Sequence, residues 1–159
     1  MDLLLVIDLQ NAFINDNTNH LIKKINNLIH NSRYDNIVFT RFINNNDSIW
    51  TKKLNYNECI SDESKKIVID TNNNLIIDKN IYSAFTDKLK KYIIDNNIKN
   101  IYLCGIDTEC CVLKTALDLF ENGYNIYVLK EYCACTRGIT RHNNAIEILK
   151  SNIGEKYVI

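Results

Sequence analysis

The chain has 159 residues, and its 19 lysines and arginines balance 19 aspartates and glutamates, so it has no formal net charge at neutral pH. This balance argues against a nucleic-acid-binding protein and against binding to an anionic membrane surface. No apolar run approaches the roughly 20 residues of a membrane-spanning helix. The first apolar run, residues 3–7, is too short for a signal peptide. We therefore expect a cytoplasmic protein.

The cysteine content does not indicate a disulfide or metal framework. The six cysteines are Cys59, Cys104, Cys110, Cys111, Cys133 and Cys135. Without a secretory signal, a chain of this size is not expected to depend on disulfides. Neither the vicinal pair nor the pair separated by one residue has the spacing of a zinc ribbon or finger. We expect no metal and no cofactor.

Apolar strand patterns alternate with helical patterns along the whole chain. Strands are predicted at residues 3–7, 36–41, 75–78, 101–104, 124–129 and 156–159. Helices are predicted at residues 18–32, 83–96, 109–122 and 139–152. The predicted N-caps of the first three are Thr18, Ser83 and Thr108. Residues 42–66 show no clear periodicity, and 130–138 are predicted to be a loop. This alternation is typical of βαβ units, so we expect one α/β domain over residues 1–159, a parallel sheet between two helical layers.

Two charged residues end buried strands of this predicted sheet. Asp8 follows the run 3–7, and Lys79 follows the strand 75–78. Open parallel sheets bind ligands at the carboxyl ends of their strands, so these side chains could converge. Each residue taken alone would equally fit a strand end that reaches solvent.

A thiol occupies the first turn of the helix after the strand 101–104. Either Cys110 or Cys111 could be that thiol, since helical periodicity does not separate them. The positive end of a helix dipole favours a thiolate. A carboxylate, an ammonium and a thiol in one cleft could act as base, charge partner and nucleophile. A buried structural cysteine would fit the same pattern.

Three ordered segments make the sequence resemble the isochorismatase-like cysteine hydrolases, which include nicotinamidases and N-carbamoylsarcosine amidase. They are residues 4–13, residues 79–85 and the turn 105–112, which fits the form Gly-x-x-Thr-Asp/Glu-x-Cys-Val. The resemblance implies a three-layer α/β/α fold with a six-stranded parallel sheet of order 3-2-1-4-5-6. It also implies dimers or tetramers.

The resemblance further implies a catalytic triad of Asp8, Lys79 and Cys111. Counting from Gly105, the nucleophile falls on Cys111 and not on Cys110. A cis peptide bond is implied between Ile106 and Asp107. It would direct the N–H of Asp107, beside that of Cys111, at the oxyanion of a tetrahedral intermediate.

The implied reaction is hydrolysis of a small amide or ureido substrate. The candidate substrate contacts are Phe13, Arg41, Tyr82 and Phe85, with Arg41 able to clamp a carboxylate. Nicotinamidases of the family bind a metal with histidines after the second strand, and residues 42–58 contain none. True isochorismatases lack the nucleophilic cysteine, so Cys111 argues against their vinyl-ether chemistry. A non-catalytic binding or regulatory protein of this fold and a thiol-redox protein are the alternatives.

Overall fold

The computed structural model of the chain describes residues 1–31 and 34–159. In these residues, five parallel strands form one sheet of order β3-β2-β1-β4-β5. The strands are β1 (Asp2–Ile7), β2 (Asn36–Phe42), β3 (Leu75–Lys79), β4 (Asn100–Ile106) and β5 (Asn125–Ala134). The central strand β1 is continuously apolar because both faces are covered, and residues 3–7 have no solvent exposure. The parallel α/β sheet is confirmed.

The predicted sixth strand is wrong. Its first two residues, 156 and 157, belong to a 3-10 turn, Glu155–Tyr157, and are not extended. Val158 alone forms a bridge, to Val128 of β5. The sheet therefore has five strands, in the order predicted for the first five.

The last strand, β5, is longer than predicted and continues to Ala134 through part of the expected loop. A register shift against β4 between Leu103 and Gly105 allows this continuation. Cys133 and Ala134 are buried, which gives the extra strand residues an apolar environment.

Helices cover both faces of the sheet. They are α1 (His20–Asn31), α2 (Ile49–Leu54), α3 (Asp62–Lys65), α4 (Asp87–Asp95), α5 (Leu113–Glu121) and α6 (Ile139–Ile153). Alternate β1 side chains point to opposite faces. Leu3 and Leu5 pack with α4, α5 and α6, whereas Leu4 and Val6 pack with α1. None of the helices in the two described ranges is long and apolar enough to cross a membrane.

The predicted starts of α1 and α4 are wrong. The fourth helix begins at Asp87, because the Thr86 hydroxyl, not Ser83, accepts the capping bond from the Leu89 N–H. Thr18 does not cap α1, since its hydroxyl donates to the Phe13 carbonyl. The predicted end of that helix, at 32, lies outside the described residues.

Candidate active site

The carboxylate of Asp8 lies just past the end of β1 and has no solvent exposure. Its backbone is left-handed (φ 49°), a conformation that aspartate tolerates better than most residues. The Thr40 hydroxyl on β2 donates to Asp8 Oδ1 at 2.7 Å and accepts from the Asp8 N–H at 3.2 Å. The other oxygen, Oδ2, has no hydrogen bond of ordinary geometry. It lies 2.6 Å from Lys79 Nζ. One carboxylate oxygen is therefore fixed by Thr40, and the other faces the ammonium.

The ammonium of Lys79 comes from the end of β3, two strands away from β1, and the side chain is fully buried. Nζ donates to the carbonyls of Ile81 at 3.0 Å and Tyr82 at 3.1 Å. It also lies 3.5 Å from Cys111 Sγ. Burial alone would lower the pKa of Lys79, but the charge of Asp8 and the Cys111 sulfur outweigh it and the pKa is raised. The lysine is therefore charged and joins the carboxylate to the thiol.

The thiol of Cys111 is carried by a tight turn between β4 and α5. The Ile106–Asp107 peptide bond is cis, which confirms the expectation for this bond. Residues Thr108–Val112 then form a π-helical turn. The Asp107 carbonyl accepts from the N–H groups of Cys110 and Val112, each at 3.1 Å, on either side of Cys111.

Glycine is required at the end of β4. Gly105 has φ 125°, and a Cβ at this position would lie 2.0 Å from the carbonyl oxygen of Ile7. The close approach of β4 to β1 brings the thiol-bearing turn beside Asp8.

Thr108 does not cap the helix as predicted. Asp107 holds the cap position but its side chain accepts no bond from the turn that it caps. Thr108 Oγ1 lies 2.9 Å from Nδ1 of His142 on α6. The π-helical turn displaces the start of the regular helix to Leu113, so Thr108 cannot take the capping role.

Cys111 is 7% exposed, and burial raises the pKa of its thiol well above the ordinary value. The negative charge of Asp8 raises this pKa further, and Lys79 opposes the rise. Burial and Asp8 thus oppose the thiolate that the helix terminus is predicted to favour. The ion pair of Asp8 and Lys79 lies beside this thiol.

A cavity of about 520 Å³ opens above these residues, and Cys110, Cys111 and Asp107 lie in its wall. Most of the remaining wall is aromatic or aliphatic. These side chains are Phe13, Phe42, Trp50, Leu54, Tyr56 and Tyr82. The cavity is large enough for a small molecule, and the Cys111 thiol lies in its wall.

Two of the four predicted substrate contacts, Phe13 and Tyr82, line this cavity, and the other two do not. Arg41 pairs with Asp78 through two bonds of 2.7 and 2.9 Å. It alternates with Thr40 along β2 and so points to the other face of the sheet. Phe85 lies in the turn before α4, which begins only at Asp87. Its ring packs on that of Tyr124 with a centroid distance of 5.4 Å.

The sequence reasoning missed the polar wall formed by residues 136–137. The N–H and hydroxyl of Thr136 donate to the Asp107 carboxylate. Arg137 pairs with Glu109 at 2.6 Å and donates to Cys110 Sγ at 3.5 Å. No motif indicated these residues, because the segment was interpreted only as a loop. They attach the thiol-bearing turn to the end of β5.

Comparison with known proteins identifies the family of the chain. The family model described as the isochorismatase domain matches residues 2–156. The chain belongs to the isochorismatase family. Isochorismatase family protein 2A of Dictyostelium discoideum is 43% identical over 61 residues, which are 37% of this chain and 30% of that protein. The chain thus aligns with about a third of the length of this curated relative.

Solved structures share the whole fold. The pyrazinamidase of Pyrococcus horikoshii, solved in complex with zinc, is 26% identical with a TM-score of 0.83, and 95% of each chain is covered. The N-carbamoylsarcosine amidase of Thermoplasma acidophilum is 20% identical with a TM-score of 0.79, covering 96% of this chain and 92% of that one. At this identity, the second likeness shows the fold alone.

The residues of this chain do not fit a bound metal like the zinc of the Pyrococcus protein. Across residues 1–31 and 34–159, no group of three or more His, Cys, Asp or Glu side chains is placed to hold a metal ion. The segment 42–58, after β2, contains no histidine. No catalytic step is assigned to a metal here.

Proposed function

We propose that residues 1–159 form one isochorismatase-like cysteine hydrolase domain, which cleaves the C–N bond of a small amide or ureido compound. The observation that carries this proposal is the contact of Lys79 Nζ with both Asp8 Oδ2, at 2.6 Å, and Cys111 Sγ, at 3.5 Å. A base, a cation and a nucleophile meet there. Of the three, Cys111 lines a cavity large enough for a small molecule, and Asp8 and Lys79 are buried behind it.

In the first step, Asp8 takes the proton of the Cys111 thiol as the sulfur attacks the substrate carbonyl carbon. We propose that the transfer accompanies the attack, because burial and the charge of Asp8 raise the pKa of this thiol. Asp8 Oδ2 is the oxygen available for this proton, since Oδ1 already accepts from Thr40.

The carbonyl oxygen becomes an oxyanion that the backbone N–H groups of Asp107 and Cys111 stabilise. The carboxylate of Asp107 is fastened by Thr136, which restrains the peptide that supplies the first donor. A donor of this kind typically contributes about 3 kcal/mol in the transition state. The charge of Lys79 stays within reach of the reacting atoms throughout.

Asp8 then returns its proton to the leaving nitrogen, so that ammonia or an amine departs and a thioester to Cys111 remains. Water enters, Asp8 removes its proton, and the hydroxide equivalent attacks the thioester carbonyl. Collapse of the second tetrahedral intermediate releases the carboxylic or carbamic acid, and the thiol regains its proton.

The cavity wall supports a small, flat substrate. Phe13 and Tyr82 are the proposed contacts, together with Trp50, which lies against Tyr82 with a ring-centroid distance of 4.6 Å. The amidase names of the two structural neighbours agree with C–N bond hydrolysis but do not identify the substrate.

A panel of amides tests this function. Purified protein is incubated with nicotinamide, pyrazinamide, N-carbamoylsarcosine and simple aliphatic amides, and released ammonia is measured. We expect at least one substrate to be hydrolysed, Cys111→Ala to abolish its turnover, and Cys110→Ala to retain most of it. Full turnover by Cys111→Ala would refute the proposal.

A further inference from the structure

We infer that Thr40 is a positioning residue for the general base, an inference that rests on the proposed function. Thr40 lies on β2, is fully buried, and does not line the cavity. Its hydroxyl bonds twice to the same neighbour, since it donates to Asp8 Oδ1 at 2.7 Å and accepts from the Asp8 N–H at 3.2 Å. No substrate contact is available to it, so it acts through Asp8.

The two bonds give the hydroxyl hydrogen a single direction. The lone pair of Oγ1 receives the backbone N–H, and the hydroxyl proton is therefore committed to the carboxylate. A threonine side chain is also stiff about χ1, and this holds the hydroxyl in place. The Asp8 carboxylate is thus held by Thr40 at one oxygen. The backbone of Asp8 itself is in the left-handed region.

The bond from Thr40 makes the two carboxylate oxygens unequal. Oδ1 is occupied by a donor, and Oδ2 is left 2.6 Å from Lys79 without a hydrogen bond of ordinary geometry. A proton leaving Cys111 therefore goes to Oδ2, the oxygen that faces Lys79 and accepts no bond from Thr40. Without the Thr40 hydroxyl, the carboxylate could rotate and present a protonated oxygen away from the reacting atoms.

A hydroxyl that served only to fill space on β2 would contribute nothing to the amide rate. A valine of the same shape would then leave kcat unchanged.

Thr40→Val tests the inference because it removes the hydroxyl and keeps the branched shape. The substrates are the fastest amide of the panel and p-nitrophenyl acetate, whose leaving group departs without a proton. We expect kcat for the amide to fall roughly tenfold to a hundredfold, with KM little changed, because a bond to a charged group is lost. Hydrolysis of p-nitrophenyl acetate should fall less, because it needs no proton returned to the leaving group, and Thr40→Ser should restore most of the amide rate.

Asp8→Asn, measured in parallel, separates this inference from the proposed function. If Asp8→Asn abolishes amide turnover but Thr40→Val leaves kcat unaltered, the positioning role of Thr40 is refuted alone. An active Asp8→Asn variant, or a wild type that hydrolyses no amide, would refute the proposed function and this inference with it. Thermal melts show whether Thr40→Val has a folding defect. If it has one, Thr40→Ser decides the question. Wild-type kinetics of Thr40→Ser would support the role of the hydroxyl, and kinetics like those of Thr40→Val would contradict it.

Discussion

Lys79 Nζ lies 2.6 Å from Asp8 Oδ2, and neither side chain has any solvent exposure. Two opposite charges are thus buried away from water at the carboxyl ends of the strands. Such a pair is costly to desolvate, and it contributes less to stability than its short distance suggests. Its arrangement beside a thiol is better explained by chemistry than by folding.

The free energies of unfolding of Lys79→Met and of its double variant with Asp8→Asn should show the cost of burying one of these charges alone. Lys79→Met leaves the Asp8 carboxylate unpaired, and we expect the free energy of unfolding to fall by about 3–5 kcal/mol. Asp8→Asn combined with Lys79→Met should recover most of the loss, because no buried charge then remains. Urea unfolding measures both effects.

Lys91→Met is the matched control for that experiment, because Lys91 forms an exposed pair with Asp95 at 2.9 Å. Its removal should change the unfolding midpoint little. A Lys79→Met variant as stable as this control would show that the carboxylate is hydrated or protonated in the folded protein.

The pH dependence of alkylation should report the charge of Lys79. In a Cys110→Ala background, the rate of Cys111 alkylation by iodoacetamide follows the thiolate fraction. Burial and Asp8 raise the pKa of this thiol, and Lys79 lowers it. Removal of the cation in Lys79→Met should therefore raise the pKa and move the rise in alkylation rate to higher pH. An unshifted curve, mapped to the Cys111 peptide, would contradict a charge contact between the two residues.

Chelation tests the prediction of a metal-independent hydrolase. The described residues do not group metal-binding side chains as a metal site would need. Activity should survive prolonged treatment with EDTA or dipicolinate, while a zinc enzyme treated in parallel loses its activity. Loss of turnover that zinc, manganese or iron restores would show this prediction to be wrong.

The meeting of Asp8 and Lys79 could be predicted from the sequence because both follow apolar strands, and parallel strands end at one edge. The choice between Cys110 and Cys111 could not be made from periodicity, because the two residues are adjacent and share one turn. That choice depended on counting from Gly105 in a family motif. The π-helical turn itself has no signal in residue type.

Other parts of the site have no pattern that sequence reasoning could use. Thr40 sits inside a strand, where a threonine is unremarkable until its neighbour across the sheet is known. Trp50 and Tyr56 come from the aperiodic segment 42–66, whose path depends on tertiary contacts, such as the bond from Trp50 Nε1 to the Asn80 carbonyl at 3.0 Å. Arg41 was wrongly predicted to contact the substrate, because the face of the sheet to which its side chain points depends on strand register.

The most direct test of the proposed mechanism is the trapping of its thioester. Protein that is turning over the fastest amide is quenched in acid, digested and analysed by mass spectrometry. The account predicts one acyl group on Cys111, absent from Cys111→Ala and removed by hydroxylamine. Steady turnover with an acyl group on Cys110, or with a fully active Cys111→Ala enzyme, would contradict it.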